Sequence, residues 1–282
     1  MERALLLIAF ALSPCAGYAE GLETTHIFGF TIGTDVNQVG EIEGEIESTG
    51  RFGKSAGTYS ALSNALGLKF IPFENFSIEP GISVAYHNIA GVPDLEDRSG
   101  WAFEAVSLEL RYRVLNRTQA PVGLTLGIDP RFGAIDDISG APADRYGSDF
   151  ILAIDQELVA TRLFAAFNFI YGLEAVRFHD TSAWEHQSSL AFAAATTAQI
   201  YPGVLLGGEV RYLRTYGGMS LDRFAGQAVF IGPTFYAKIS ERLWISAAWN
   251  IQVAGSAVAQ VGPQDLNNFE RHQAKLRFGY NF

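Results

Sequence analysis

Residues 106–114 read Val-Ser-Leu-Glu-Leu-Arg-Tyr-Arg-Val, and this stretch decides the fold class. Its even-numbered positions are apolar or aromatic, whereas its odd-numbered positions carry a hydroxyl group or a charge. Successive side chains of a β-strand point to opposite faces, so strict alternation predicts a strand with one apolar and one polar face. The polar face of this strand holds Glu109, Arg111 and Arg113.

The same period of two recurs along the chain and predicts about twelve strands. The first of them contains Phe28, Phe30 and Ile32, and the last runs to Phe282. No internal apolar run approaches the roughly 18 residues that a membrane-spanning helix needs, which excludes a helical membrane protein. The chain is therefore predicted to be all-β.

Composition excludes two further classes of protein. Hydrophobic residues make up 48% of the 282 residues, which is too many for a disordered chain. The formal net charge is -10, whereas nucleic-acid binding needs a basic surface, so we expect no nucleic-acid partner.

The first 19 residues form a separate unit. A lone arginine precedes an apolar stretch, and small residues follow near position 19, which predicts a cleaved secretory signal peptide over 1–19. The barrel domain would then be 20–282. Cys15 is the chain's only cysteine and leaves with this leader, so the mature protein is expected to lack disulfides and thiolate metal sites.

Connections between the predicted strands alternate in length. Short ones fall near 72–75, 116–119, 159–162, 202–203 and 240–242, and longer ones near 37–57, 89–100, 136–147, 217–226 and 259–270. Aromatic residues gather near both sets of strand ends. Short turns, longer loops and two aromatic bands are typical of a transmembrane antiparallel β-barrel.

The C-terminal strand carries a resemblance to a known class. Phe278, Tyr280 and Phe282 share one face, and this ending resembles the recognition strand of Gram-negative outer-membrane proteins. Residues 268–278 are also similar to uncharacterised outer-membrane proteins of alphaproteobacteria. The resemblance implies an outer-membrane location with periplasmic chain ends. It implies three partners: the barrel assembly machinery, outer-membrane lipid and lipopolysaccharide.

The polar residues at alternate positions of each strand are predicted to line the lumen. Both signs of charge occur there, so the lumen is either a water-filled passage or is closed by ion pairs across it. Neither a catalytic constellation nor a cofactor or metal site is predicted. The residues expected to set solute selectivity lie near mid-strand: Glu79, Glu109, Arg111, Arg113, Asp129, Arg131, Glu209 and Arg211.

The predicted long loops carry most of the net negative charge. The most acidic stretch holds Glu41, Glu43, Glu45 and Glu47, four carboxylates at a spacing of two. We expect these residues to form an acidic mouth that attracts cations, with a solvated strand extension or divalent cations at the external loops as alternatives.

Together these features predict a porin-like channel for small hydrophilic solutes with a preference for cations. Two alternatives are a sealed structural or adhesive barrel and a lipid-modifying enzyme. Ser83 and His87 are four residues apart on one predicted strand, about 13 Å, and therefore cannot touch as a catalytic pair.

Overall fold

A computed structural model describes residues 23–258 and 262–282. The predicted signal peptide lies outside the described residues. Within the described part of the chain, no helix is long and apolar enough to cross a bilayer.

The residues described form a closed barrel of antiparallel strands in which each strand pairs with its sequence neighbours and the first pairs with the last. This confirms the predicted fold class and strand number. The strands are β1 Ile42–Phe52, β2 Thr58–Phe73, β3 Phe76–Ala90, β4 Arg98–Leu115, β5 Gly123–Ile135, β6 Pro142–Val159, β7 Leu163–Phe178, β8 Trp184–Tyr201, β9 Val204–Gly217, β10 Arg223–Lys238, β11 Leu243–Ala257 and β12 His272–Asn281.

The two faces of each strand separate as the alternation predicts. In β4, Leu108 and Tyr112 are exposed on the outer wall, whereas Arg111 points inward and is 3% exposed. Closure leaves no free sheet edge, so the ladder hydrogen bonds are satisfied within the wall, as a lipid environment requires. Phe278, Tyr280 and Phe282 lie on the outer wall of the closing strand.

The strand connections define two ends of the barrel. We call one the turn end, because it holds 74–75, 116–122, 160–162, 202–203 and 239–242 together with Phe282. The other is the loop end, which holds 53–57, 91–97, 136–141, 179–183, 218–222, 258 and 262–271. In the two-residue turn between β2 and β3, Asn75 adopts a φ of 65°, a conformation that asparagine tolerates well.

The first strand differs from the sequence prediction. Residues 28–32 are not in a strand, and the predicted first loop at 37–57 contains β1. Glu43 of β1 pairs with Asn281, and Phe52 pairs with His272, so this acidic strand closes the barrel. Its acids can face the lumen because basic side chains of β2 and β12 lie opposite them.

Candidate functional site

The turn end of the lumen is filled by residues 23–41, which we call the N-terminal segment. Ile27 and Phe28 of this segment are fully buried inside the barrel. They pack in an apolar pocket whose wall residues are Phe164, Ala166, Ala195, Leu205, Tyr236 and Trp244. Burying two large apolar side chains contributes about 1.5–3 kcal/mol each, so the pocket holds the segment firmly.

Glu209 of β9 binds the backbone of the N-terminal segment. Its carboxylate accepts hydrogen bonds from the Phe30 N–H at 3.0 Å and from the Thr31 N–H at 2.9 Å. The Thr31 hydroxyl donates to the same oxygen at 3.0 Å. The Phe30 ring also lies 3.8 Å from the guanidinium of Arg211, a cation–π contact.

Other wall side chains satisfy the next residues of the segment. Asn168 accepts from the Ile32 N–H at 2.6 Å and donates to the Ile32 carbonyl at 2.8 Å. Asp155 accepts from the Thr34 N–H at 2.9 Å. Arg111 donates to the Gly33 carbonyl at 2.5 Å. The wall therefore supplies the backbone with the partners that a strand or water would otherwise provide.

A polar cavity of about 520 Å³ lies above the segment, on the side of the loop end. Its floor includes His26, Phe30 and Ile32 of the N-terminal segment. Asp137, from the connection between β5 and β6, contributes at the opposite side. Among the described residues that line it, nine are carboxylates and seven are lysines or arginines. The cavity is large enough for a small hydrophilic molecule.

Four of these carboxylates form a row across β3 to β6. Glu79 is paired directly with Glu109, and Asp129 directly with Asp149. The register between β4 and β5 places Glu109 level with Asp129. Like charges in directly opposed positions repel one another, so the row needs cations nearby.

Three cationic side chains partly neutralise this carboxylate row. Arg131 contacts Asp149 at 2.6 Å and Asp129 at 3.3 Å. The other two contacts are longer, with 3.9 Å between Arg111 and Glu109 and 3.8 Å from Lys69 to Glu79. The row therefore sets four carboxyl groups against three cationic side chains, and the lining of the whole cavity sets nine against seven.

Residues 136–141, which we call the cap loop, lie at the loop end and contribute Asp137 to the lining of the cavity. Asp137 contacts Arg51 at 3.0 Å and Arg145 at 3.3 Å. The His87 ring contacts the Asp137 carbonyl at 3.1 Å, and the Tyr59 hydroxyl donates to the Ile138 carbonyl at 2.9 Å. His87 is therefore engaged with the cap loop and has no contact with Ser83.

The structure divides the predicted selectivity residues into two groups. The first group, Glu79, Glu109, Asp129 and Arg131, lines the open cavity. The second group, Arg111, Arg113, Glu209 and Arg211, contacts the N-terminal segment. All eight side chains point into the lumen, as their place on the polar face of each strand predicts. Four of them, however, bind the N-terminal segment of the same chain.

The predicted acidic mouth is wrong in its position. Glu41, Glu43, Glu45 and Glu47 lie in or just before β1 and begin at the turn end, away from the mouth formed by the loops. Glu43 is buried and lies 2.8 Å from Lys69. Glu45 lies 3.4 Å from His26, and Glu47 lies 2.9 Å from Lys275. Ion pairs with neighbouring strands and with the segment make this run a wall of the lumen.

One group of side chains has the composition of a metal site. The ligand atoms of Glu23, His26 and Glu43 lie within 4.8 Å of one another. The Lys69 ammonium lies 2.8 Å from Glu43 and 3.2 Å from the His26 ring. Lys69 therefore already supplies positive charge at this point, which disfavours a metal cation.

Glu23 predicts a pH dependence of segment docking. Burial raises the pKa of Glu23 to about 7 from 4.5, with a further rise from Glu43 and an opposing effect of Lys69. The docked state therefore favours the protonated carboxyl of Glu23. This contribution to docking is fully present below pH 4.5 and is lost as the pH rises through about 7. Glu23→Gln should keep the contribution at every pH.

Limited proteolysis of the N-terminal segment tests this prediction. Wild type and Glu23→Gln should be cleaved at similar rates at pH 4.5, and wild type should be cleaved faster at pH 8. Comparing the two proteins at the same pH removes the pH dependence of the protease itself. A wild-type-to-variant ratio that is equal at both pH values would contradict the role of Glu23.

The sequence contains a signal that the N-terminal segment is not a strand. A membrane strand needs about 9–11 residues, whereas the alternation around Phe28 to Ile32 covers only about five. Gly33 follows this stretch and Gly29 lies within it, where Gly29 has a φ of 50°, which a strand does not use. Thr24, Thr31 and Thr34 supply hydroxyl groups for the lumen wall.

The chain is similar to several solved outer-membrane proteins. The COG4313 outer membrane channel from Pseudomonas putida F1 is similar with a TM-score of 0.62 at 16% identity, over 88% of this chain and 98% of that chain. The NanC porin gives 0.48 at 10% identity, over 85% and 98%. LpxR from Salmonella typhimurium gives 0.49 at 9% identity, over 85% and 100%.

The likeness to the first of these structures confirms the fold of a Gram-negative outer-membrane β-barrel. No curated protein matches the sequence. The model of DUF6662, a family of unknown function, matches residues 21–282. Since this match covers almost the whole sequence, the chain belongs to the DUF6662 family.

Proposed function

We propose that the protein is an outer-membrane channel for the passive passage of small hydrophilic solutes, with a preference for cations. The observation that carries this proposal is the polar cavity inside the barrel and its row of four carboxylates. A charged lining in a water-filled lumen raises the local concentration of ions of opposite sign.

In this proposal the turn end faces the periplasm and both chain ends lie there. The loop end then meets lipopolysaccharide, and its acidic connections offer oxygen ligands to divalent cations. The connection 91–97 carries Asp94, Glu96 and Asp97 and is the most acidic of them. Because these side chains are solvated, salt screens them more strongly than it screens the carboxylate row.

Reversal potentials in a planar bilayer test the cation preference. Under a salt gradient, we expect the folded wild-type barrel to give discrete conductance steps with a cation-directed reversal potential. Replacing three acids of the row, with Glu79→Gln, Glu109→Gln and Asp129→Asn, should lower the ratio of cation to anion permeability several-fold. The row would then keep Asp149 as its only acid, next to Arg131.

A matched variant separates the lumen from the loops. Asp94→Asn with Glu96→Gln removes two charges from the connection 91–97 and should leave the reversal potential nearly unchanged. If this loop variant shifts the reversal potential and the triple lumen variant does not, the carboxylate row does not set selectivity.

A sealed barrel is the second candidate, and a specific observation favours it. The N-terminal segment fills the turn end of the lumen, the cap loop contributes Asp137 at the loop end, and ion pairs such as Lys275 with Glu47 tie neighbouring strands on the cavity wall. A folded barrel that stays silent in the bilayer, even with the N-terminal segment released, would support the sealed barrel.

A further inference from the structure

We propose that the N-terminal segment is a displaceable gate, held in the lumen by Glu209, Asn168 and Asp155, and that the channel opens when the segment leaves this site. This inference concerns the regulation of the passage proposed above and rests on it. The segment fills the turn end of the lumen, between that end of the barrel and the polar cavity.

The barrel wall closes without the N-terminal segment. The ladder closes between β1 and β12 with paired residues from Glu43 to Phe52. Residues 29–34 make their hydrogen bonds with wall side chains, and none of their described bonds belongs to the strand ladder. The segment can therefore leave while every strand keeps both neighbours.

Hydrogen bonds to wall side chains hold the backbone of the N-terminal segment in the lumen. Backbone groups that lose wall partners on release regain water, so each exchanged hydrogen bond contributes little net free energy. The contact with Glu209 is stronger, because one carboxylate accepts from two N–H groups and one hydroxyl. Glu209 is 3% exposed, so its charge is best satisfied when the segment is bound.

The N-terminal segment joins the wall through a turn at residues 38–41. The Glu41 N–H donates to the Gln38 carbonyl at 3.1 Å, and the Gly40 N–H donates to the Ile71 carbonyl at 2.9 Å. Gly40 has a φ of 89°, a conformation that glycine adopts at little cost. The chain reverses here from the lumen into β1, so rotation about residues 38–41 would move the segment without moving the strand.

The first experiment weakens the latch in the full-length protein. Glu209→Gln removes the charge but keeps the volume, and we expect it to increase the open probability in a planar bilayer by about tenfold. Glu157→Gln is the matched control, since Glu157 is also a lumen carboxylate of the turn end but accepts from the Thr161 N–H of its own turn. Its open probability should equal that of wild type.

The second experiment locks the gate reversibly. A Cβ atom built at Gly123 of β5 would lie 3.0 Å from the Cβ of Thr34 and 2.4 Å from Oδ1 of Asp155, so Thr34→Cys with Gly123→Cys can form a disulfide once the Asp155 carboxylate and the segment backbone shift. The chain has one native cysteine, at position 15 within the predicted leader, so the engineered thiols pair with each other. Oxidation should abolish conductance, and reduction should restore it in the same membrane.

The outcomes separate the gate from the channel. Equal conductance in the oxidised and reduced double variant, or failure of the two cysteines to join, would overturn the gate. Conductance by wild type in either of those cases would leave the proposed channel intact. Silence of the wild type, of Glu209→Gln and of the reduced double variant, all shown to be folded, would overturn the channel itself.

Discussion

Lys69→Met should lower the free energy of unfolding of the barrel by about 3–5 kcal/mol. Lys69 is 4% exposed, and its ammonium lies 2.8 Å from the carboxylate of Glu43, which is 2% exposed. Methionine fills the same space but leaves this carboxylate buried without its cation. The loss is measured by urea unfolding of the refolded barrel in detergent.

Two further variants give this prediction its controls. The double variant Lys69→Met with Glu43→Leu should regain most of the loss, because a buried ion pair replaced by apolar groups is often neutral. Lys238→Met removes the partner of the exposed Glu241, also at 2.8 Å, and should leave the free energy of unfolding nearly unchanged, because water screens the pair. Equal losses for Lys69→Met and Lys238→Met would show that burial of the pair is unimportant.

The second large effect is expected for Gly232→Ala, at a loss of about 3 kcal/mol. A Cβ atom at Gly232 of β10 would overlap the carbonyl oxygen of Trp249 and lie 2.7 Å from the Cα of Asn250. Both contacts are with the backbone of β11, which cannot move aside without opening the ladder. On heating, the compact form of the barrel seen by gel electrophoresis should therefore disappear at a lower temperature than in wild type.

Gly208→Ala is the matched control on the neighbouring strand. A Cβ atom at Gly208 would meet only the Gly232 carbonyl oxygen, at 3.6 Å, which is ordinary contact. We expect this variant to be neutral or to gain up to about 1 kcal/mol, because alanine restricts the unfolded chain. Similar stability of Gly208→Ala and Gly232→Ala would refute the steric argument.

The class of fold and the two faces of each strand follow from the local order of residues. Alternation of apolar and polar residues is a local property, since neighbouring side chains of a strand must face opposite sides. Residues such as Leu108 and Arg111 could therefore be assigned to the outer wall and to the lumen before any contact was known. The aromatic C-terminal strand was recognised for the same reason.

Which acidic and aromatic residues belong to the wall and which fill the lumen depends on contacts that form in the folded barrel. The run from Glu41 to Glu47 alternates like a solvated strand, and its place in the wall depends on Lys69 and Lys275, which are distant in sequence. Phe28 and Phe30 alternate like a lipid-facing strand, yet they are buried in the lumen or at its cavity because partners from β9 bind the adjoining backbone. Periodicity reports the geometry of a strand, whereas charge pairing and closure depend on contacts between residues far apart in the chain.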